Sequence, residues 1–136
     1  MTIYFYTTQD KYGCFSNFSR HGFELEGFWW PTNEHFFQAQ KFANHPWFEK
    51  IRQAQTPKEA AKMGRDRRYP LRQDWEAVKE GGMLRGVLQK FKTHQDLREI
   101  LLSTGEELLV ENSPIDYYWG CGKDGSGKNR LGEILM

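Results

Sequence analysis

Three polar side chains with different chemistry recur at helical spacing in residues 30–42, whose sequence is WPTNEHFFQAQKF. Glu34, Gln38 and Lys41 are spaced so that a helix places all three on one side. A carboxylate can stabilise positive charge or move a proton, an amide can orient its neighbours, and an ammonium can bind an anion or act as a nucleophile. A solvated polar face has the same pattern, so the spacing alone leaves both interpretations open.

The segment that carries these side chains has the start and packing signals of a helix. Pro31 has a φ angle suited to the first turn, and Thr32 offers a capping hydroxyl at the entry. Phe36, Phe37 and Phe42 can then point into a core. We therefore expect one helix with chemistry on one face and packing on another.

The second candidate stretch is the glycine-rich segment 111–132, ENSPIDYYWGCGKDGSGKNRLG. Its glycines let the backbone approach a ligand closely, and its amides could cradle a phosphate. It is not a P-loop, because Lys128 is followed by Asn129, and no strand–turn–helix unit surrounds it as a dinucleotide fingerprint requires. Asp116 lies close before Trp119, which suits a carboxylate beside a plane that stacks on a base. A buried Trp beside a turn-forming Asp explains the same residues equally well.

Two further groups of polar residues also have more than one interpretation. Clustered arginines are ordinary surface charge or bidentate phosphate ligands, and we weigh the two equally for Arg65, Arg67, Arg68 and Arg72. Asn17 lies between Phe15 and Phe18, which look like anchors for a loop. Local sequence favours a turn or cap role for Asn17.

Length, composition and net charge indicate the size of the domain, the source of its core and the partners it can attract. The chain has 136 residues, the usual size of one domain. Hydrophobic residues make up only 38%, but aromatic residues make up 15% and each buries a large area, so they can supply a core. With 19 basic and 18 acidic residues the formal net charge is +1. Bulk electrostatic attraction to nucleic acid or to an anionic membrane is therefore not indicated, although a local basic patch is compatible with this balance.

Cysteine and histidine usage gives no sign of a metal centre. Cys14 and Cys121 belong to no CxxC pair, and the scattered histidines lack zinc-ligand spacing. The chain contains no long apolar run of the kind that spans a membrane, and its start does not resemble a signal peptide. We therefore expect a cytoplasmic, metal-free domain, and nothing in the sequence calls for a disulfide.

The remaining elements follow from periodicity and capping signals. Strands are predicted at 3–8, 23–30 and 107–111, and helices at 46–55, from the Thr56 cap to Gly64, from about Asp74 to Phe91, and at 96–103. In the long helix the expected core residues are Trp75, Val78, Met83, Leu84, Val87, Leu88 and Phe91. Gly81 and Gly82 weaken the middle of that helix and indicate a bend.

Six of these segments, in this order, also carry a family resemblance. They are FSNF at 15–18, WPTNEHFFQAQKF at 30–42, AAKMGR at 60–65, DW at 74–75, TG at 104–105 and SPIDYYWGCGKDGSGKNRLG at 113–132. Together they resemble the NADAR family, also called the YbiA-like family. The resemblance covers nearly the whole chain, from about residue 4 to the end. It implies a compact, mainly helical α+β fold with a few short strands, as a single domain over residues 1–136.

The resemblance also implies an activity. The family contains N-glycosidases that act on ribosylated, phosphate-bearing substrates without a metal or other cofactor. Some members hydrolyse ribosylamino-pyrimidine phosphate intermediates of riboflavin synthesis, and others remove ADP-ribose from modified guanine in nucleic acid. The expected partner is therefore a phosphorylated ribosylamino-pyrimidine or an ADP-ribosylated guanine, free or in nucleic acid. No membrane and no obligate protein partner are expected.

Site residues are implied position by position. Glu34, Asp116 and Lys41 are the expected catalytic residues. The expected substrate-binding residues are Asn17, Trp30, Gln38, Arg65, Trp119, Gly120, Gly122, Lys123 and Asn129. The resemblance implies that Asn17 and Lys41 share a pocket with the two carboxylates. Arg65 and Lys123 or Lys128 are the expected phosphate partners.

The chemistry of such a bond cleavage leaves two routes open. Breaking a ribose N-glycosidic bond builds positive charge at C1′, which one carboxylate can stabilise while a second group protonates the departing nitrogen. Glu34 and Asp116 are the two carboxylates, and their division of labour is open. In the other route Lys41 captures the opened sugar as a Schiff base, with Glu34 moving the proton. A simple ion-pair or phosphate-binding role for Lys41 is the favoured alternative to that route.

Two other classes of function are compatible with the same segments. A module that binds ADP-ribose or a nucleotide without turnover would use the glycine-rich loop, Trp119 and the arginines, but would not need Glu34 and Asp116 for rate. A purely structural interaction protein leaves both carboxylate-bearing motifs unexplained.

Overall fold

The computed structural model describes residues 2–136. In chain order the strands are β1 (Thr2–Phe5), β2 (Phe23–Leu25), β3 (Phe28–Trp30) and β4 (Leu108–Glu111), and the helices are α1 (Asn33–Gln40), α2 (Pro46–Arg52), α3 (Pro57–Gly64), α4 (Trp75–Thr93), α5 (Gln95–Ser103) and α6 (Arg130–Leu135). The α+β class, mainly helical with a few short strands, is thereby confirmed. None of the helices over residues 2–136 has both the length and the apolar character needed to cross a membrane.

The chain divides into two units. The first comprises residues up to Ser19 together with His94–Met136, and the second is Arg20–Thr93. The first unit contains β1, β4, α5 and α6, and the second contains the β2–β3 pair and helices α1 to α4. The expectation of one domain over residues 1–136 stays a prediction.

The second unit begins with a hairpin, where one continuous strand over 23–30 is predicted. That prediction is wrong: β2 and β3 are antiparallel, with Phe23 opposite Trp30 and Leu25 opposite Phe28. Glu26 and Gly27 between them have φ angles of 56° and 85°. Two consecutive residues in the left-handed region reverse the chain with the twist that paired strands require. The alternation of apolar and polar residues holds only for residues 23–26, and Glu26-Gly27 is not one of the Asn-Gly or Asp-Gly pairs that mark such a turn most clearly.

Helix α1 lies at the centre of the second unit, and all eight of its residues are buried. Thr32 caps it as predicted, since its Oγ1 accepts a hydrogen bond from the His35 backbone N–H at 3.1 Å. The predicted cap of α3 is also confirmed, with Thr56 Oγ1 accepting from the Glu59 N–H at 3.0 Å. The hydrophobic core around α1 consists of Phe23, Trp30, Phe36, Ala39, Phe42, Ile51 and Ala60. The predicted inward direction of Phe36, Phe37 and Phe42 is confirmed.

Helix α4 corrects two predicted core residues. Leu84 and Leu88 are 51% and 55% exposed, so their assignment to the core is wrong. The buried stripe instead follows Gly82, Met83, Gly86, Val87, Lys90 and Phe91. The reason is a close helix contact: a Cβ atom at Gly86 would lie 1.9 Å from Asn33 Oδ1 of α1. The side of α4 that faces α1 is therefore set by the close contact at Gly86 and not by the leucines.

Helix α4 runs without interruption from Trp75 to Thr93, so Gly81 and Gly82 do not break it, and the expected bend there stays a prediction. Replacing Gly81 by Ala is expected to raise the free energy of unfolding by about 0.5–1 kcal/mol, because glycine costs that much in a helix interior. A Cβ at this exposed position would meet no heavy atom of the described residues within 4 Å. Chemical denaturation measures the change. Gly86→Ala is the matched control and should destabilise, because its Cβ has no space.

In the first unit β1 and β4 form a parallel pair, from Thr2 opposite Leu108 to Phe5 opposite Glu111. The predicted first strand over 3–8 is therefore shorter and begins earlier, and the predicted strand over 107–111 is confirmed to within one residue. Helix α5 ends at Ser103, with Thr104 as its C-cap, and the next residue, Gly105, has a φ of 59°, as is common for a glycine that follows a helix. Helix α6 is not predicted from the sequence.

Candidate functional site

The side chains of Glu34 and Gln38 form a buried pair on α1. Gln38 Nε2 donates a hydrogen bond to Glu34 Oε2 at 2.8 Å, across one turn of the helix. Glu34 is 7% exposed and Gln38 is 5% exposed. Glu34 lies in the first turn of α1, where the helix dipole stabilises negative charge. A carboxylate held in this way has a fixed orientation and little contact with bulk solvent.

Lys41 extends the same polar stripe at the C-terminal end of α1. Its side chain is 9% exposed, and Nζ lies 5.8 Å from the Phe37 ring centroid and 5.9 Å from the Trp75 ring centroid. The two rings are in contact, with centroids 5.3 Å apart. Aromatic faces attract a cation and also shield it from water. Because Glu34, Gln38 and Lys41 are all buried, the alternative of a solvated polar face does not hold for α1.

His35 also lies on α1 and is a buried polar residue that was not among the predicted site residues. It is fully buried, with Nε2 2.9 Å from the Ala54 carbonyl oxygen and Nδ1 2.8 Å from Thr32 Oγ1. A carbonyl only accepts, so Nε2 carries the proton and the Thr32 hydroxyl donates to Nδ1. Burial lowers the pKa of His35 below its ordinary value, and the bond to Ala54 opposes part of that decrease. The capping pattern Thr32-x-x-His35 is the sequence signal that could have revealed the pair.

Stability is expected to fall at acidic pH because of His35. With its pKa lowered, the folded protein binds fewer protons than the unfolded chain, so the free energy of unfolding decreases as the pH drops below about 6.5. The slope from this one group is at most about 1.4 kcal/mol per pH unit. Denaturant titrations at several pH values between about 7.5 and about 5, the range in which histidine titrates, measure how the free energy of unfolding changes with pH. His35→Gln, which keeps a donor for Ala54, should flatten the slope; an unchanged slope would contradict this assignment.

Trp30 lies in the core and not on an accessible wall. It is fully buried, its Nε1 donates to the Leu25 carbonyl at 3.1 Å, and its ring packs edge-on against Phe36 and Phe48. This environment favours a packing role for Trp30 over the predicted substrate contact.

The arginines after α3 are mostly engaged with neighbours. Arg68 pairs with Asp66 and Arg72 pairs with Asp74, at 2.7 Å and 2.6 Å. Arg67 donates to the Gly64 carbonyl at 3.2 Å. Arg65 is exposed at the C-terminal cap of α3. Surface ion pairs account for Arg68 and Arg72, and Arg65 stays the predicted phosphate partner of the group.

In the first unit, Asp116 forms a turn around the residues that follow it. Its Oδ1 accepts hydrogen bonds from the backbone N–H groups of Tyr118 at 2.9 Å and of Trp119 at 2.7 Å. This is the turn-forming role that the sequence left as an equal alternative. The Trp119 ring is partly buried and lies edge-on to Tyr118, with centroids 4.8 Å apart. The turn therefore fixes the position of Trp119.

The glycine-rich loop borders a cavity of about 500 Å³ in the first unit. The lining residues are Tyr4, Val110, Asn112, Cys121, Gly122, Lys123, Gly125, Gly127 and Asn129. Gly122 has a φ of 73°, and a Cβ there would lie 2.3 Å from the Tyr117 ring, while a Cβ at Gly120 would lie 2.9 Å from the Glu111 carbonyl. These two predicted binding residues are thus required by the loop itself. Across residues 2–136, His, Cys, Asp and Glu form no cluster of three that could hold a metal.

Asn129 joins the loop to β4. Its Oδ1 accepts from the Glu111 N–H and its Nδ2 donates to the Leu109 carbonyl, both at 2.9 Å. Its backbone has a φ of 52° and a ψ of 44°, in the left-handed region that Asn tolerates best after glycine. Both ends of the amide are therefore used to extend the pairing of β4, which favours a structural role over the predicted substrate contact.

Asn17 is also in the first unit and is 8% exposed. The neighbouring Ser16 Oγ accepts from the Phe18 N–H at 3.1 Å, and Phe15 is buried, so this is an anchored turn as the sequence indicated. The predicted residues therefore fall in two places: Glu34, Gln38, Lys41 and Arg65 in the second unit, and Asn17, Asp116, Trp119 and the loop in the first. The common pocket that the resemblance implies for them stays a prediction.

The fold and these clusters define an α+β protein with a buried carboxylate–amide pair on its central helix. Comparison with known proteins then gives the family. A model of the NADAR domain matches residues 4–136, so the chain belongs to the NADAR domain family.

Individual relatives are similar over nearly the whole chain. An N-glycosidase of Nostoc punctiforme is 52% identical, over 100% of this chain and 89% of that protein. The N-glycosidase YbiA of Escherichia coli is 51% identical, over 98% of this chain and 84% of its own. An NMR structure of E. coli YbiA matches with a TM-score of 0.91 at 50% identity, covering 99% of this chain and 80% of that one. A maize protein named riboflavin biosynthesis protein PYRR, chloroplastic, is 43% identical over 98% of this chain and 24% of that protein.

Proposed function

We propose that the protein is an N-glycosidase, a hydrolase of N-glycosyl compounds, and that its substrate is a ribosylated molecule carrying phosphate. The observation that carries this proposal is the buried Glu34–Gln38 pair on α1, with Lys41 on the same helix. Relatives at about half identity over the full chain are named N-glycosidases, which supports the reaction class.

Glu34 is the residue to which we assign stabilisation of the transition state. As the bond from C1′ to nitrogen breaks, its electron pair leaves with the nitrogen, which takes up a proton, and positive charge develops on the sugar ring. A carboxylate near the ring stabilises that charge and can take a proton from the water whose oxygen bonds to C1′. Limited exposure to solvent strengthens this interaction. The hydrogen bond from Gln38 Nε2 to Oε2 fixes the orientation of this carboxylate.

In the first unit, Asp116 and Trp119 are assigned to the leaving group. Because Asp116 Oδ1 already accepts two backbone amides, any proton transfer to the departing base would go through Oδ2. The Trp119 ring would stack on the base, which is worth about 1–3 kcal/mol in comparable platforms. The cavity beside Gly122 has the size for a phosphorylated sugar, and Lys123 on its wall carries a cationic side chain that suits a phosphate.

Lys41 has two roles compatible with this scheme: a fixed cation that pairs with an anion, or a nucleophile that forms a Schiff base with the opened sugar. Adding borohydride to a reacting sample separates them. Reduction would fix the sugar covalently on Lys41 only if the Schiff base forms, and mass spectrometry of the tryptic peptide would detect it.

Two substrates fit the proposal. The first is a ribosylamino-pyrimidine phosphate, and the name of the maize relative supports this choice. The second is guanine carrying ADP-ribose, free or in nucleic acid. A formal net charge of +1 gives little general attraction to nucleic acid, which slightly favours the first.

A side-by-side turnover assay decides between them. Purified protein is given a ribosylamino-pyrimidine phosphate in one reaction and an oligonucleotide with ADP-ribosylated guanine in the other. Release of ribose 5-phosphate would indicate clearance of a metabolite, and release of ADP-ribose would indicate reversal of a nucleic-acid modification. If both substrates remain intact although the protein binds them, the glycosidase proposal fails for this pair.

A further inference from the structure

Gly64, the last residue of α3, lies directly against the side chain of Gln38. A Cβ atom built at Gly64 would be 1.9 Å from Gln38 Oε1 and 2.7 Å from its Cδ, distances at which the amide would have to move. Gly64 is buried and helical, and its φ angle is not in the positive region. Conformational freedom therefore does not explain a glycine here, because alanine adopts this helical backbone at least as readily. The need for space does explain it.

The amide of Gln38 has only one orientation that suits both neighbours. An ionised Glu34 can only accept, so the Gln38 Nε2 must face it, at 2.8 Å. Gln38 Oε1 then lies beside Gly64, and it accepts no hydrogen bond from the residues the structure describes. Turning the amide over would place Oε1 against the carboxylate, where two acceptors repel. The space left by Gly64 thus holds the amide oxygen and keeps the donor directed at Glu34.

We infer that Gly64 is a positioning residue, which acts through Gln38 to orient the Glu34 carboxylate. The inference rests on the proposed function in so far as Glu34 is catalytic. A methyl group at position 64 displaces the Gln38 amide, and the Glu34 carboxylate loses the hydrogen bond that fixes its direction. Misplacement of a reacting group by about 1 Å costs on the order of 100-fold in rate.

A double-mutant cycle tests this coupling with Gly64→Ala, Gln38→Ala and the combined variant. Gly64→Ala is expected to lower kcat by about 10- to 100-fold with little change in KM. In the Gln38→Ala background the same substitution should have almost no further effect, because the group it displaces is gone. Gly81→Ala, with open space around its Cβ, is the matched glycine control and should leave kcat unchanged.

A purely structural role for Gly64 predicts a different result. The effect of Gly64→Ala would then be the same factor with and without the Gln38 side chain, and that outcome overturns the inference. Wild-type kcat in the Gly64→Ala protein also overturns it. If Gly64→Ala alone does not fold, recovery of folding in the combined variant supports the inference, and failure of both to fold overturns it.

A readout independent of turnover separates this inference from the proposed function. The side-chain NH₂ signals of Gln38 in ¹H–¹⁵N spectra report its bond to Glu34 whether or not the protein cleaves a substrate. They should shift in Gly64→Ala and in Glu34→Ala but not in Gly81→Ala. Shifted signals in a protein without turnover on any substrate would overturn the proposed function and support the coupling. Unshifted signals in Gly64→Ala would overturn the coupling.

Discussion

Glu34→Gln is expected to lower kcat by about 10²–10⁴-fold while ligand affinity changes only slightly. Gln has nearly the shape of Glu, and its amide oxygen can still accept from Gln38 Nε2, so the buried pair on α1 keeps its packing. What is lost is the negative charge that stabilises the sugar cation and accepts a proton from water. Product release under saturating substrate measures kcat, and calorimetric titration with the product sugar phosphate measures affinity.

The control for this prediction is Glu24→Gln, a Glu to Gln change at an exposed position of β2. It should leave both kcat and affinity at the wild-type level. If Glu34→Gln instead turned over substrate at the wild-type rate, Glu34 would not be the catalytic carboxylate. A protein that has no turnover even as wild type, and whose Glu34→Gln variant no longer binds, would support the module that binds a nucleotide without catalysis.

Asn129→Ala is expected to lower the free energy of unfolding by about 3 kcal/mol. The change removes two hydrogen bonds to β4, each worth about 1 kcal/mol, and leaves the Glu111 N–H and the Leu109 carbonyl without that partner. It also places alanine at a φ of 52°, which costs a further 1 kcal/mol or so. Denaturant titration measures the loss.

Asn129→Gly separates the two contributions to this effect. It accepts the left-handed backbone without strain but still lacks the side-chain bonds, so its loss should be smaller by about the backbone cost. If Asn129→Ala were as stable as wild type and instead raised KM for the phosphorylated substrate, Asn129 would be a substrate contact. The substrate role implied by the family resemblance would then replace the structural one.

The elements that begin with a local signal could be predicted from the sequence. The caps Thr32 and Thr56 each act on a backbone group three residues away, so a short window contains the whole interaction. The set of α4 residues that are buried could not be predicted in the same way. Leu84 and Leu88 have core spacing, but the face of α4 that packs is set by Gly86 against Asn33, a contact between distant segments.

The candidate site also contains some contacts between residues close in sequence, which could be predicted, and others between distant segments, which could not. Glu34 and Gln38 are one helical turn apart, and the predicted pairing on one face of α1 is confirmed by their hydrogen bond. The partners of Asn129 lie 18 and 20 residues away, at the edge of β4. No local pattern distinguishes an amide that pairs with a distant strand from one that contacts a ligand. The space for Gln38 beside Gly64 likewise depends on how α1 and α3 pack.

The most direct test of the proposed cleavage is to measure the ratio of the two products that the wild-type protein releases from each substrate. Chromatography with mass detection follows the free base and the sugar phosphate over time, with Glu34→Gln run in parallel. We predict that both products appear in equal amounts from the ribosylamino-pyrimidine phosphate or from the ADP-ribosylated guanine, and that Glu34→Gln releases them about 10²–10⁴-fold more slowly. Intact substrate in both wild-type reactions, or equal product release by Glu34→Gln, would contradict the assignment of an N-glycosidase built on Glu34.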